Sequence, residues 1–494
     1  MFLPMNTPFP NSYWLEDGHI VCGEYPKDFD DRDDLTGMSA LLEAGVRVFV
    51  NLTEPDELEP YDQIAREAAK ALGIDPAELE FYRQPIRDVS VPNSPEMMKQ
   101  TLRMIRSARQ RGKAVYIHCW GGKGRTGTVA GCLLSELNGK SGDGALDALG
   151  ERWQACAKAS YAESPETDEQ RQYVRLWGEK MMPDRKAAIR SAILGAAVGD
   201  ALGVPVEFQN RARRKEDPVT GMRKYGTHHQ RAGTWSDDSS MIFATMEGLM
   251  KAGGYDPESV MREFEGWVQN AAHTPHGEVF DIGNATHSAI RKFSMGSPLS
   301  ECGGIEEHSN GNGSLMRILP IGLAFADDRK LIEKASEISS LTHAHERSRF
   351  CCAFYCLVVS ELLHGFDIEQ STFTAWEIMD RAWKFSELER SRFDALHPEK
   401  LLNRSEDEIG SSGHVIDTLE AALWVNAQHD SYGDAVLHSV NLGDDTDTTG
   451  CVAGGLAGLL YGEKGIPSEW LDVLVKRFEI ESMCETFAEI TWKV

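Results

Sequence analysis

The 494-residue sequence predicts two domains, the first of them an α/β unit. Three observations lead there. The chain is longer than one hydrophobic core usually supports, since single cores stop growing near ~250–300 residues. Over roughly the first 180 residues, short β-branched and aromatic runs alternate with helical patterns, and that alternation builds a sheet with helices on its faces. After a helical stretch that ends over 171–180, Met181-Met182-Pro183-Asp184 interrupts the pattern before another helix begins. The expected domains are therefore residues 1–182 and 183–494, joined by a short linker.

Composition limits what such a chain can do. Hydrophobic residues make up 41% and charged ones 26%, enough apolar material for sizeable cores. The formal net charge of -26 argues against stable nucleic-acid binding, which depends on Lys and Arg neutralising phosphates. No run of 18 or more apolar residues occurs, and the opening Met-Phe-Leu-Pro-Met-Asn-Thr-Pro lacks the basic start of a signal peptide. A cytoplasmic protein without membrane partners is expected. The ten cysteines form no C-x-x-C pair, and Cys351, Cys352 and Cys356 lie in an apolar run, so they read as reduced core residues rather than zinc ligands.

In the first domain, residues 48–52 and 114–117 suit buried strands, while 63–72 and 95–110 read as helices. The second strand runs into His118-Cys119-Trp120-Gly121-Gly122-Lys123-Gly124-Arg125-Thr126-Gly127, followed by a helical stretch over 128–137. Strand, Gly-rich loop and helix together offer backbone N–H groups and a helix dipole to a phosphate. A thiolate at Cys119 would be stabilised by the same amides, its pKa falling from ~8.5 toward ~3.5–7.5. Arg125 brings a planar fork that matches two phosphate oxygens.

These ten residues meet in full the His-Cys-x-x-Gly-x-x-Arg-Thr-Gly signature, and the domain resembles the cysteine-dependent protein tyrosine and dual-specificity phosphatases. The resemblance implies a phosphomonoester substrate, a phosphocysteine on Cys119, Arg125 on the phosphate, and no cofactor. It also implies an acid on an earlier loop, where Asp88 in Gln84-Pro85-Ile86-Arg87-Asp88-Val89-Ser90-Val91-Pro92 fits, although a turn Asp before Pro92 would look the same. Thr126 would polarise groups during hydrolysis of the phosphocysteine, or simply cap the helix. His118 would sit behind the nucleophile. Lys123 either adds charge for a substrate more anionic than one phosphomonoester or is a solvated lysine.

The second domain is organised around Asn-Leu-Gly-Asp-Asp-Thr-Asp-Thr-Thr-Gly over 441–450, directly before a Gly- and Ala-rich apolar helix over 451–461. Asp444, Asp445 and Asp447 would repel one another in an apolar setting unless a hard divalent cation with oxygen ligands were present. A second acidic cluster, Gly233-Thr234-Trp235-Ser236-Asp237-Asp238-Ser239, precedes another apolar helix over 240–246. Two such clusters far apart in sequence can meet around a two-metal site. The amphipathic stretch 416–424 reads as a core helix with no catalytic part.

With Gly195-Ala196-Ala197-Val198-Gly199-Asp200-Ala201-Leu202-Gly203 running to Glu207, and Gly311-Asn312-Gly313-Ser314-Leu315-Met316-Arg317, these clusters resemble the ADP-ribosylglycohydrolase family from roughly Asp184 onward, in the family's order. The resemblance implies an all-α fold holding two Mg2+ or Mn2+, with Ser236, Asp237 and Asp238 as ligands from one side and Asp445, Asp447 and Thr448 from the other. Ser236 stands where the family usually has Thr, and Asp444 where Gly is common, which could shift metal affinity. Glu207 and Asp281 are rivals for proton transfer. Asp281 and Asn284 lie in Phe280-Asp281-Ile282-Gly283-Asn284, which resembles a ribose-facing segment of the dinitrogen-reductase-reactivating members. Gly311, Asn312, Gly313 and Ser314 would bring backbone amides to a diphosphate, and His343 would lie near the ribose.

The expected protein is a bifunctional hydrolase. Its C-terminal domain would cleave the N- or O-glycosidic bond of an ADP-ribosyl group on a protein or small molecule, and its N-terminal domain a phosphomonoester. Three alternatives stand beside this reading: a phospho-binding module targeting the hydrolase, two domains acting on one phosphorylated ADP-ribose-like metabolite, or an immunity protein against an ADP-ribosyltransferase.

Overall fold

The computed structural model describes residues 6–27, 34–138, 142–177 and 184–490. The chain divides into two compact units, Met1–Met182 and Pro183–Val494. The break expected over 181–183 lies outside the described residues.

The first unit carries a five-stranded sheet in the order β1-β2-β5-β3-β4: β1 (Ser12–Glu16), β2 (Ile20–Gly23), β3 (Val46–Asn51), β4 (Glu80–Arg83) and β5 (Ala114–His118). Only β1 runs antiparallel to its neighbour. β3 and β5 are apolar with almost every residue buried, as strands covered on both faces must be. Helices α1 (Asp34–Glu43) and α2 (Asp62–Ala71) pack with one face of the sheet through Met38, Leu41, Ala65 and Phe49. On the other face lie α3 (Pro95–Gln110), α4 (Gly124–Asn138), α5 (Asp143–Trp153) and α6 (Asp168–Leu176), around Leu102, Ile117, Leu133 and Val174. Because β3, β4 and β5 are parallel, the loops leaving their C-terminal ends share one edge, where ligands bind in such sheets.

The second unit is helical. Its centre is the pair α7 (Arg185–Gly203) and α12 (Thr446–Tyr461), against which α8 (Asp237–Ala252), α10 (Glu346–Leu363) and α11 (Val415–Gln428) pack; α9 (Asn284–Ser294) belongs to the same unit. Glycines four residues apart on both central helices place their backbones in contact. A Cβ on Gly199 would lie 2.0 Å from the Gly450 carbonyl oxygen, and one on Gly454 2.3 Å from that of Gly195. Segment Arg185–Val206 reaches a mean hydropathy of 1.4 over its most apolar 18 residues, long and apolar enough to cross a membrane, but 83% of that window is buried inside the unit. Cys351, Cys352 and Cys356 are free, buried core residues, as are the other seven cysteines.

Candidate active sites

In the first unit, three strand ends assemble one site. Cys119 follows β5, and the loop after it turns back toward β2 through Gly122, whose φ of 74° and 2.5 Å clearance to the Gly23 carbonyl carbon exclude a side chain. The loop carbonyls are held from outside. Trp120 O accepts from Tyr25 N (2.8 Å), Gly121 O from Lys158 Nζ (2.9 Å) and Lys123 O from Ser164 Oγ (2.9 Å). In a trans peptide the N–H of the next residue points the opposite way. The N–H groups of Gly121, Gly122 and Gly124 therefore point away from these donors, leaving them available to an anion.

Arg125, 2% exposed, is gripped by Glu57, whose Oε1 and Oε2 accept from Nη2 and Nη1 at 2.7 and 2.8 Å, and it pairs with Asp88 at 3.0 Å. Glu57 comes from the loop after β3 and was not expected. Its only sequence signal is an acidic turn at the right strand end. Asp88 is half exposed at the mouth, two residues from Ser90, whose carbonyl accepts from the buried Gln170 Nε2 (2.9 Å). Thr126 is buried and its hydroxyl has no hydrogen-bond partner. His118 lies behind the loop, its Nε2 bonded to Tyr61 Oη (2.7 Å), and burial pushes its pKa down to about 3. Lys123 is part-exposed and pairs with Glu166 at 2.7 Å.

In the second unit the two acidic clusters meet. The carboxylate oxygens of Asp200, Asp238 and Asp447 lie within 4.8 Å of one another, as do those of Glu207, Asp445 and Asp447. The close α7–α12 contact causes this, since a Cβ on Gly203 would lie 2.3 Å from the Asp447 amide. Ser236 caps α8 and donates to Asp238 Oδ2 (2.9 Å), and Thr448 Oγ1 reaches the same oxygen at 3.4 Å. Asp237 is buried beside them. Asp200 had no expected role, although it stood inside the quoted glycine motif. It accepts from Ser236 N, Ser239 N and Ser239 Oγ at 2.6 to 3.0 Å, fixing the start of α8, and burial pushes its pKa up to about 7.

Asp444 departs from the grouping expected of it. Its φ of 60° and its antiparallel bridge to Gln209 turn its side chain outward, near Ser411 Oγ at 3.5 Å, away from Asp445 and Asp447. The left-handed backbone is also the physical reason glycine suits this position.

Glu207 is buried and its Oε2 bonds His228 Nε2, which also lies 4.0 Å from Asp281 Oδ2. Burial, then the facing Asp281 and Asp445 charges, raise its pKa to about 10. Asp237, Asp238 and Asp447 are likewise raised, first by burial and then by the charges of neighbouring carboxylates, led by Asp238, Asp200 and Glu207 respectively. Asn312 Nδ2 donates to Asp445 Oδ2 (2.9 Å) and to Thr418 Oγ1 (2.8 Å), so α11 does border the site. Gly311 and Gly313 lie against His343, whose pKa burial lowers to about 3. Ser314 turns its hydroxyl into the core toward Ser339 and Cys352. Asn284 is exposed at the start of α9.

The donor set fits hard divalent cations. Asp238 Oδ1, Asp445 Oδ1 and Asp447 Oδ2 are buried without a hydrogen-bond partner. Among the described residues no Lys or Arg pairs with these three aspartates, with Asp237 or with Glu207. Oxygen-rich, uncompensated and buried carboxylates of this kind offer the donor atoms that a hard cation takes.

Comparison with known proteins agrees with both domains. The family profile described as ADP-ribosylglycohydrolase matches residues 181–493, and that of the Swiss Army Knife protein, DSP-PTPase phosphatase domain, matches residues 10–174. An ADP-ribosylarginine hydrolase, Tri1, of Pseudomonas putida (strain GB-1) is 30% identical over 60% of this chain and 76% of its own length. The ADP-ribosyl-[dinitrogen reductase] glycohydrolase of Rhodospirillum rubrum is 29% identical over 59% and 91%. A solved structure, an ADP-ribosylglycohydrolase-related protein complex, superposes with a TM-score of 0.53 at 29% identity, covering 62% of this chain and 99% of that one. The profile match spans well over half of the sequence, and the chain belongs to the ADP-ribosylglycohydrolase family, a glycosidic hydrolase with a cysteine-dependent phosphatase domain ahead of it.

Proposed function

We propose that the unit 183–494 hydrolyses the C1''–N bond of ADP-ribosylated arginine, and that the unit 1–182 hydrolyses a phosphomonoester. The observation that carries the first reading is the meeting of Glu207, Asp238, Asp445 and Asp447, with buried oxygens left unpartnered. Arginine as acceptor is supported by the likeness to an ADP-ribosylarginine hydrolase. Ser236, Asp237, Asp238, Asp445, Asp447 and Thr448 would hold two Mg2+ or Mn2+. When bound, such ions supply Lewis-acid charge and orient ribose hydroxyls and water.

The chain's own residues do the rest. The 311–313 loop and His343 bind the diphosphate and ribose. Asn312 orients Asp445. Water oxygen bonds to C1'' as the C1''–N bond breaks and its electron pair leaves with the guanidine nitrogen. Glu207, held by His228 and facing Asp281, carries the proton.

In the phosphatase unit Cys119 Sγ attacks phosphorus, and the P–O bond breaks toward the leaving oxygen, which takes a proton from Asp88. Water then attacks the phosphocysteine, Asp88 takes its proton, and the P–S electron pair returns to sulfur. Arg125 and the loop amides hold the equatorial oxygens.

The test is release of ADP-ribose from ADP-ribosyl-arginine and ADP-ribosyl-serine peptides by the full chain with Mg2+, Mn2+ or chelator. Metal-dependent release from the arginine peptide, lost by at least ~100-fold in Asp445→Ala/Asp447→Ala and retained in Cys119→Ser, is expected. Preference for the serine peptide would overturn the acceptor, and metal-independent release the cation reading. For the other unit, phosphate release from an aryl phosphate should disappear in Cys119→Ser.

A further inference from the structure

Phe208 directly follows Glu207, and it breaks two rules at once. A bulky residue rarely adopts φ above zero, yet Phe208 has φ 63°. Large apolar rings are normally covered, yet Phe208 is 68% exposed. A strained backbone costing ~1–2 kcal/mol persists only where its surroundings over-determine it, and such strain gathers at functional sites.

The surroundings do over-determine it. Phe208 N donates to Asp444 O (2.7 Å), and Asp444 N donates to Gln209 O (2.8 Å), two bonds that pin the turn beside the ligand loop. Asp444 itself is left-handed at φ 60°, so both sides of this bridge are strained. The His228 ring, bonded to Glu207, sits 6.0 Å from the Phe208 ring and 5.5 Å from that of Phe280. The fold thus holds an uncovered aromatic ring immediately outside the buried carboxyl assigned to proton transfer. No packing requirement explains its exposure.

Geometry and charge indicate what the ring meets. The ribose side of the scissile bond belongs to the buried carboxylates, so a ring on the solvent side of Glu207 faces the leaving group. In ADP-ribosyl-arginine that group is a guanidinium, planar and weakly hydrated, which stacks on aromatic faces. Asp281, 4.0 Å from the His228 ring that lies beside Phe208, adds to the attraction for a cation.

Resting on the arginine reading above, we propose that Phe208 is the platform on which the acceptor guanidinium stacks, and that it sets the preference for a cationic planar leaving group. Stacking is made in substrate and transition state alike, so its loss should appear in KM rather than kcat.

The experiment uses the full chain with Mg2+ and compares wild type, Phe208→Ala, Phe208→Leu and Phe208→Tyr. We expect Phe208→Ala and Phe208→Leu to raise KM for the ADP-ribosyl-arginine peptide about tenfold with kcat within about threefold, and Phe208→Tyr to keep the wild-type KM. Inhibition by agmatine, which carries the guanidinium without the ADP-ribose, should weaken in the first two variants, while inhibition by ADP-ribose stays unchanged. Thermal melting reports folding of each variant; the position is exposed, so Phe208→Leu is expected to fold. Wild-type KM and agmatine inhibition in Phe208→Leu would overturn the platform alone. Absence of arginine-linked hydrolysis in wild type would overturn the acceptor reading and the platform with it.

Discussion

Asp444, Asp445 and Asp447 are chemically alike and nearly adjacent, yet they do different things. Asp445 and Asp447 aim unpartnered oxygens into the carboxylate cluster, whereas Asp444 sits at φ 60° with its side chain outside. Asp444→Gly should therefore stabilise the fold by ~0.5–1 kcal/mol, the relief of left-handed strain less the greater freedom of glycine in the unfolded chain. Metal-dependent hydrolysis should be unchanged. Chemical denaturation and a metal titration of the variant check both halves, and weakened metal binding would add Asp444 to the ligand set. The crowding of acids at 441–450 was plain in the sequence. Which acids face inward was not, because the backbone conformation that separates them is set by the bridge to Gln209. Phe208 escaped notice for the same reason, and Glu57 because its partner Arg125 lies 68 residues away.

At the scale of elements, helix α7 and helix α12 approach through glycine until backbone meets backbone. A Cβ at Gly450 would lie 2.4 Å from the Gly199 carbonyl oxygen, an atom that cannot rotate away. Gly450→Ala should cost ~1–3 kcal/mol or more, read as a lower denaturation midpoint. Asp447 stands one turn before Gly450 on the same helix, so the displacement should also weaken metal binding measured by titration calorimetry. An unchanged affinity would show that the cluster tolerates movement of α12. Periodicity alone was enough to read α3 and β5 nearly to the residue, whereas α12 begins at Thr446 rather than at the expected 451, because the acidic loop itself forms its first turn. Their partners were not readable, because nothing local in 195–203 names 450–458 as its neighbour. The same holds in the sheet, where the order β5-β3-β4 brings Cys119, Glu57 and Asp88 to one edge.

Across the whole molecule, the net charge of -26 is an average over very different sites. Most surface acids are solvated, but Glu207, Asp237, Asp238 and Asp447 are buried, and their folded pKa values are raised. A carboxyl raised in the folded state binds its proton more tightly there than in the unfolded chain, whose values lie near ~4. Its contribution is present in full below ~4 and is lost as pH rises through the folded value. The chelated protein should therefore show a melting temperature that falls from about pH 5 to pH 8. Added Mg2+ or Mn2+ should raise it, most at the higher pH where fewer protons must be displaced. A melting temperature insensitive to metal at pH 8 would contradict the cation assignment.

The sequence by itself determined the local matter of this protein. The His118–Gly127 loop, the two acidic clusters, the apolar helices behind them and the α/β alternation are short-range patterns, which backbone sterics and hydrophobic periodicity write directly into consecutive residues. Only the tertiary structure decided which groups face one another: Arg125 with Glu57, Glu207 with His228, Asp238 with Asp447, and the exposed ring of Phe208 beside them. Those meetings depend on long-range packing, chiefly the glycine contact between α7 and α12; glycines recur every four residues in each segment, but that spacing does not say which distant segment is the partner.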